Sequence, residues 1–251
     1  MRPEGRERVK MLRSGLAASI SIFSGLAAMA QTSAAPATTA LAPHRAVYDL
    51  SLLKSEGRYA PVSASGRIVY ESTGNACEGF TTNFRQITET APAEGETRSS
   101  DMRSSTHESG DGKTFKFRIE ILSNGQRTKL LEGASERSGG TLSVALRSPV
   151  PLKGDLPTDA LFPVQQTLRG LAAVRAEETA VELKVYDGSG DGMKIYHSLN
   201  IFGREITRPA DDATIPLEGM KGLKRWPVTA SYFDQQSGDS KPMYVLSFDM
   251  W

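Results

Sequence analysis

The sequence predicts a mainly β protein: an antiparallel sheet, curved or half-open like a barrel, with one prominent amphipathic helix. Three observations carry this expectation. Residues Thr114 to Leu122 alternate strictly, with Phe115, Phe117, Ile119 and Ile121 on one side and Lys116, Arg118 and Glu120 on the other. Such alternation sets one face on a core and the other in water. Asn124-Gly125 follows at once, a pair that tolerates positive φ and suits a two-residue hairpin, so Gln126 to Leu131 is the expected return strand. Similar short alternating runs recur along the chain, while a single segment has helical spacing.

In chain order, the first element is an export signal. Residues 2–13 carry Arg2, Arg6, Arg8, Lys10 and Arg13 against Glu4 and Glu7, a net charge of +3. Gly15 to Ala30 is uncharged and ends Ala28-Met29-Ala30. That is the small-x-small pattern of a signal peptidase site, so cleavage is expected between Ala30 and Gln31. The alternative is a retained anchor, but 16 uncharged residues rich in Ala, Ser and Gly are short for a span of about 20. No cysteine follows closely enough for lipoprotein attachment, and no later stretch is apolar enough to cross a membrane. The reading is therefore a periplasmic protein with no transmembrane anchor after cleavage. Gln31 to Ala42 is rich in Ala, Thr and Pro and reads as a disordered leader. Residues 43–251 read as a single β domain. The whole chain carries +1, which leaves the mature part near −2, with no polybasic surface for nucleic acid.

Strands are expected at Val47 to Leu53, Arg67 to Glu71 and Gly79 to Glu89, then at Thr114 to Leu122 and Gln126 to Leu131. They resume at Thr141 to Leu146, Val181 to Tyr186, Lys194 to Ile201, Thr229 to Phe233 and Met243 to Trp251. The helix is expected to open at Pro163, where a missing N–H costs nothing, and to end before Thr179. Val164, Leu168, Leu171 and Ala172 form its apolar stripe, and Arg169 and Arg175 lie on its polar side. A single amphipathic helix among antiparallel strands is expected to plug or cover the open face of a curved sheet.

The chemical inventory is thin. His44, His107 and His197 are far apart, and none has a metal-ligating neighbour at i+2, i+3 or i+4. There is no G-x-S-x-G, H-E-x-x-H, phosphate loop or dinucleotide fingerprint. The residues therefore assign no catalytic, cofactor or metal site, and no cofactor is expected. Asp187-Gly188-Ser189-Gly190-Asp191-Gly192 resembles half an EF-hand loop, but its twelfth position is Ser198 rather than a bidentate Glu. It reads as a loop between strands, with no calcium bound. Asp111-Gly112 reads as a turn. Cys77 is the only cysteine. It sits in Gly74-Asn75-Ala76-Cys77-Glu78-Gly79, where an acid disfavours a thiolate. It reads as half of a structural disulfide whose partner is absent from this chain. The last run, Met243 to Trp251, ends inside a strand signature, so the β domain is expected to be cut short at its C-terminus.

His44-Arg45-Ala46-Val47-Tyr48-Asp49-Leu50, Cys77-Glu78-Gly79-Phe80 and Val185-Tyr186-Asp187-Gly188-Ser189 together resemble the EipB family. This is the DUF1849 group of α-proteobacterial periplasmic proteins linked to cell-envelope integrity. The resemblance covers nearly all of residues 41–251. It implies a spiral, half-open β-barrel with a helix, similar in shape to periplasmic lipoprotein carriers. It also implies a disulfide between Cys77 and a second cysteine in a final segment. The function expected is non-enzymatic support of envelope integrity through an envelope lipid, a lipoprotein or a periplasmic protein partner. A structural interaction module without a small ligand comes second, and an envelope enzyme third. An apolar cavity would favour a lipid carrier, and a filled interior with an exposed apolar patch a protein scaffold. Converging His, Asp or Glu in a cleft would favour an enzyme.

Overall fold

The alternating runs resolve into strands that pair with their neighbours in sequence. In the computed structural model the described residues are 40–57, 60–138, 140–157, 159–207, 220, 223–234 and 241–251. The signal segment, most of the leader and the Ala30–Gln31 junction lie outside them. The described residues belong to one unit, Thr39–Trp251. Its first sheet, sheet A, is a meander of eight antiparallel strands: β1 (His44–Ser51), β2 (Ser63–Asn75), β3 (Gly79–Ala91), β4 (Arg98–Glu108), β5 (Thr114–Ser123), β6 (Gln126–Ser138), β7 (Thr141–Ser148) and β8 (Leu152–Leu156). The helix α1 (Pro163–Arg175) follows. Sheet B then forms from β9 (Ala180–Val185), β10 (Tyr196–Phe202), β11 (Trp226–Phe233) and β12 (Tyr244–Met250), again paired in chain order.

Local sequence fixes the turns. Asn124 and Gly125 have φ of 50° and 77°, the doubly positive pair that a two-residue hairpin needs, and they join β5 to β6. Asp111 and Gly112 lie in the β4–β5 turn, where Ser109 Oγ donates to Asp111 Oδ1 at 2.7 Å and accepts from Lys113 and Thr114 N–H. Two register shifts, at Ile121/Leu122 against β6 and at Glu132/Gly133 against β7, insert bulges. Bulges bend a strand and increase its twist, so sheet A curls where β5, β6 and β7 meet.

Sheets A and B are joined rather than stacked. Leu161, beyond β8, bridges Val185 of β9 in parallel. Leu161 N–H donates to Lys184 C=O at 2.7 Å and Tyr186 N–H donates back to Leu161 C=O at 2.8 Å. Counting this joint, strand order runs from β1 to β12 with β1 and β12 at open edges. The fold is thus mainly β, an antiparallel sheet that does not close, carrying one helix on its inner face.

Strand register defines that inner face. Phe115, Phe117 and Ile119 of β5 share it with Leu131 of β6 and with Leu142, Val144 and Leu146 of β7. Ala160, Phe162 and Tyr186 complete this core. Phe162 and Tyr186 are fully buried. The ring of Phe162 stacks on Phe115 at 5.1 Å, and Tyr186 meets Phe115 and Phe117 edge-on at 6.1 Å. A second core lies between α1 and sheet B: Ala173 and Val174 pack against Val181, Phe202 and Val228. The helix therefore buries Leu171, Ala173 and Val174, whereas Ala172, expected on the stripe, is exposed. The apolar stripe was placed one position too early at its C-terminal end. Sheet B contacts the side of the helix that presents Ala173 and Val174.

Candidate functional site: the uncovered inner face

The helix covers only part of the inner face. On β1 to β4 the inward positions include Tyr48, Leu50, Ile68, Tyr70, Phe84 and Met102. Tyr48 keeps 55% of its surface exposed and the others are half-buried. At the opposite edge, β12 turns Tyr244, Leu246 and Phe248 to the same side as the helix-facing Tyr232, Ala230 and Val228. Leu246 and Phe248 are 51% and 48% exposed. Apolar side chains thus line the inner face near both open edges, while Phe115, Phe117, Phe162 and Tyr186 fill its middle.

At the Tyr244 end of this face the apolar lining gives way to polar groups. Tyr244 stacks on Tyr232 at 4.7 Å with the rings 20° apart. Gln166 of α1 donates its amide protons to Tyr232 Oη (2.9 Å) and Ser198 Oγ (3.2 Å). Ser189 Oγ donates to Tyr196 Oη at 3.2 Å, and Asp187 Oδ1 accepts from Ser189 N–H at 2.9 Å. Burial pushes up the pKa of Tyr186, Tyr196, Tyr232 and Tyr244, opposed at Tyr196 and Tyr232 by the bonds from Ser189 and Gln166. Neighbouring Tyr232 adds to the rise at Tyr244, and the negative charge of Asp187 adds to it at all four. The segment that resembles half an EF-hand is the loop that sets this cluster. Its glycines turn Tyr186 into the core and leave Asp187 among the phenols.

The N-terminus of the helix is anchored by Glu108. The N-cap residue Phe162 has no side-chain acceptor of its own. Instead Glu108, at the end of β4, accepts from Val164 N–H at 2.9 Å and from Gln165 N–H at 3.2 Å. A carboxylate on a helix N-terminus is favourable for both hydrogen bonding and the helix dipole. Glu108 is nevertheless 2% exposed. Burial raises its carboxyl from 4.5 to about 7, opposed by those two N–H groups and by the Arg137 charge. Between pH 4.5 and 7 the folded chain thus holds a proton that the unfolded chain has released. This contribution to stability is complete below pH 4.5 and is lost as pH rises through 7. Wild-type stability should fall over that window, and Glu108→Gln, which keeps an acceptor but cannot ionise, should flatten the fall. Denaturation midpoints at pH 4.5, 6 and 8 check it; parallel profiles would contradict it.

The residues singled out in the sequence do not converge. Cys77 is an exposed free thiol in the β2–β3 turn, where Asn75 Oδ1 accepts from the N–H groups of Cys77 and Glu78. His44 lies beside Tyr70 with ring centroids 5.4 Å apart. His107 Nδ1 meets Thr81 Oγ1 at 3.1 Å, and His197 sits on β10. No group of three or more His, Cys, Asp or Glu is placed to hold a metal among the described residues. On the outer face of sheet A, Asp101 bridges Arg85 (2.9 Å) and Arg103 (2.7 Å). Hydrogen bonds from Arg85, then Arg103, hold its carboxyl down to about 2. Grooves of about 390 and 340 Å³ on that face are lined largely by polar and charged residues. The tyrosine cluster and Glu108 were missed by sequence reasoning. Tyr196, Tyr232 and Tyr244 did fall on expected strands, yet only register shows that they share an end.

The chain is 29% identical over 244 residues to the cell envelope integrity protein EipB of Brucella abortus (strain 2308), covering 97% of this chain and 85% of that one. It is similar to the crystal structure of a beta-barrel-like protein of domain of unknown function DUF1849 from Brucella abortus, with a TM-score of 0.78 and 30% identity. That alignment covers 84% of this chain and 87% of the other. The EipB-like family profile matches residues 35–251. This chain belongs to the EipB-like family.

Proposed function

We propose that this protein is a non-enzymatic periplasmic component that supports cell-envelope integrity by holding an apolar envelope partner against its open inner face. The partner is a lipid, a lipoprotein or a periplasmic protein. The observation that carries the reading is the run of half-exposed apolar side chains, Tyr48 on β1 and Leu246 and Phe248 on β12, turned inward beside open sheet edges. Apolar surface of this kind is costly in water unless something covers it. Kinship with a relative named for envelope integrity supports the role. Of the two strongly perturbed carboxyls, Asp101 is held low by its arginine partners and Glu108 is raised by burial while it caps the helix, and these structural roles support a non-catalytic reading.

The two sides of β12 provide the test. Val245 is 49% exposed, as Leu246 and Phe248 are, but points to the outer side. In a strain lacking the gene, the double variant Leu246→Asp/Phe248→Asp should fail to restore detergent resistance. Val245→Asp should restore it, with matched protein levels and melting temperatures for both. Equal complementation by the two variants would overturn the assignment to the inner face.

A further inference from the structure

This inference rests on the binding role of the inner face and concerns what its polar end recognises. Asp187, Tyr196, Tyr232 and Tyr244 meet where the apolar run of β12 stops. Tyr232 and Tyr196 already accept hydrogen bonds, from Gln166 and Ser189. Among the described residues their own phenolic protons meet no acceptor, and neither does that of Tyr244. Asp187 uses one carboxylate oxygen on Ser189 N–H and its other oxygen meets no donor there. The site therefore offers phenol donors and a carboxylate acceptor that are close enough to interact electrostatically but do not hydrogen-bond to one another.

The group that satisfies both must accept from phenols and donate to a carboxylate. A hydroxyl does both. A sulfate or a fully ionised phosphate only accepts, and the Asp187 carboxylate beside the phenols opposes it. Lys194 is paired with Asp234 at 2.6 Å and Lys129 Nζ donates to Gly190 C=O, so among the described residues Asp187 and Asp191 have no ion-pair partner of their own. A quaternary ammonium would suit the carboxylate but would leave the phenol protons unmet. The stacked rings of Tyr232 and Tyr244 add an apolar flank, and Leu246 and Phe248 continue it along β12. We propose that the tyrosine cluster binds the uncharged, hydroxyl-bearing head of an amphiphile whose hydrocarbon chain lies on Leu246 and Phe248.

Three probes with one twelve-carbon chain separate the possibilities: dodecyl maltoside, dodecyl phosphate and dodecyltrimethylammonium. Each is titrated below its micellar concentration into the full chain and followed by calorimetry. The maltoside should bind at least about tenfold more tightly than either charged probe. Tyr232→Phe/Tyr244→Phe keeps both rings and should bring the three affinities within about twofold. Asp187→Asn should raise affinity for the phosphate. Equal affinities in the wild type, or a preference for a charged head, would overturn the head-group assignment and leave the inner-face reading standing. Binding of none of the three would overturn both. Leu246→Asp/Phe248→Asp should weaken all three together, and unchanged binding there would move the chain off β12.

Discussion

Phe117→Ala should lower the unfolding free energy by about 3–5 kcal/mol, the range for removing a buried aromatic ring. Phe117 is 3% exposed, 5.8 Å from Phe115 and edge-on to Tyr186. Backbone closes in on two sides, because a Cβ built on Gly133 or Gly188 would come within 2.8 or 2.5 Å of its ring. A cavity walled by backbone collapses poorly, which favours the upper part of the range. Lys116→Ala, one residue earlier on the outer face, should cost under about 0.5 kcal/mol. Urea denaturation of the pair decides it. Equal small effects would mean that the two faces of β5 are not distinct.

Gly188→Ala should cost about 2–5 kcal/mol and should fail to add to Phe117→Ala. Gly188 has φ of 73°, which costs an L-residue about 1–2 kcal/mol. Its new methyl would overlap the Phe117 ring, and overpacking costs about 1–3 kcal/mol. With the ring removed, only the backbone strain remains. In the Phe117→Ala background the glycine substitution should therefore cost about 1–2 kcal/mol, a coupling that a double-mutant cycle measures. Full additivity would show that the loop does not press on β5.

The strength of the alternation decided which strands could be read. Thr114 to Leu122 was unmistakable, and β5 (Thr114–Ser123) extends it by one residue. β4 was not foreseen. Its sequence, Arg98 to Glu108, is Ser, Thr and charge with Met102 as its one aliphatic side chain, because it pairs on both sides while the helix covers little of its inner face. β8 (Leu152–Leu156) was missed for its shortness and its central Gly154. β2 proved longer than its apolar stretch: it runs to Ser63 and Asn75 through Ser, Thr and Gly, and backbone pairing to β1 and β3 holds those ends. The helix start at Pro163 was legible from local chemistry. Its cap was not, since Glu108 lies 56 residues from Val164 and no local pattern can announce it. The phenols around Asp187 were hidden for the same reason: the register of three strands, rather than any spacing, brings them together.

The pairing order also bears on how the chain reaches this state. Within each sheet every strand pairs with its neighbour in sequence, so hairpins can form one after another with short loops to close and low contact order. The contacts that cost most entropy are those that seat the inner elements. Glu108 to Val164 spans 56 residues, Lys129 to Gly190 spans 61 and Gln166 to Tyr232 spans 66. Zipping of the sheets is accordingly the fast event, and docking of helix α1 and the glycine loop onto them is the slow one. Until that docking is complete, the rings of Phe115 and Phe117 face water, and the folding chain is then most prone to meet another of its kind.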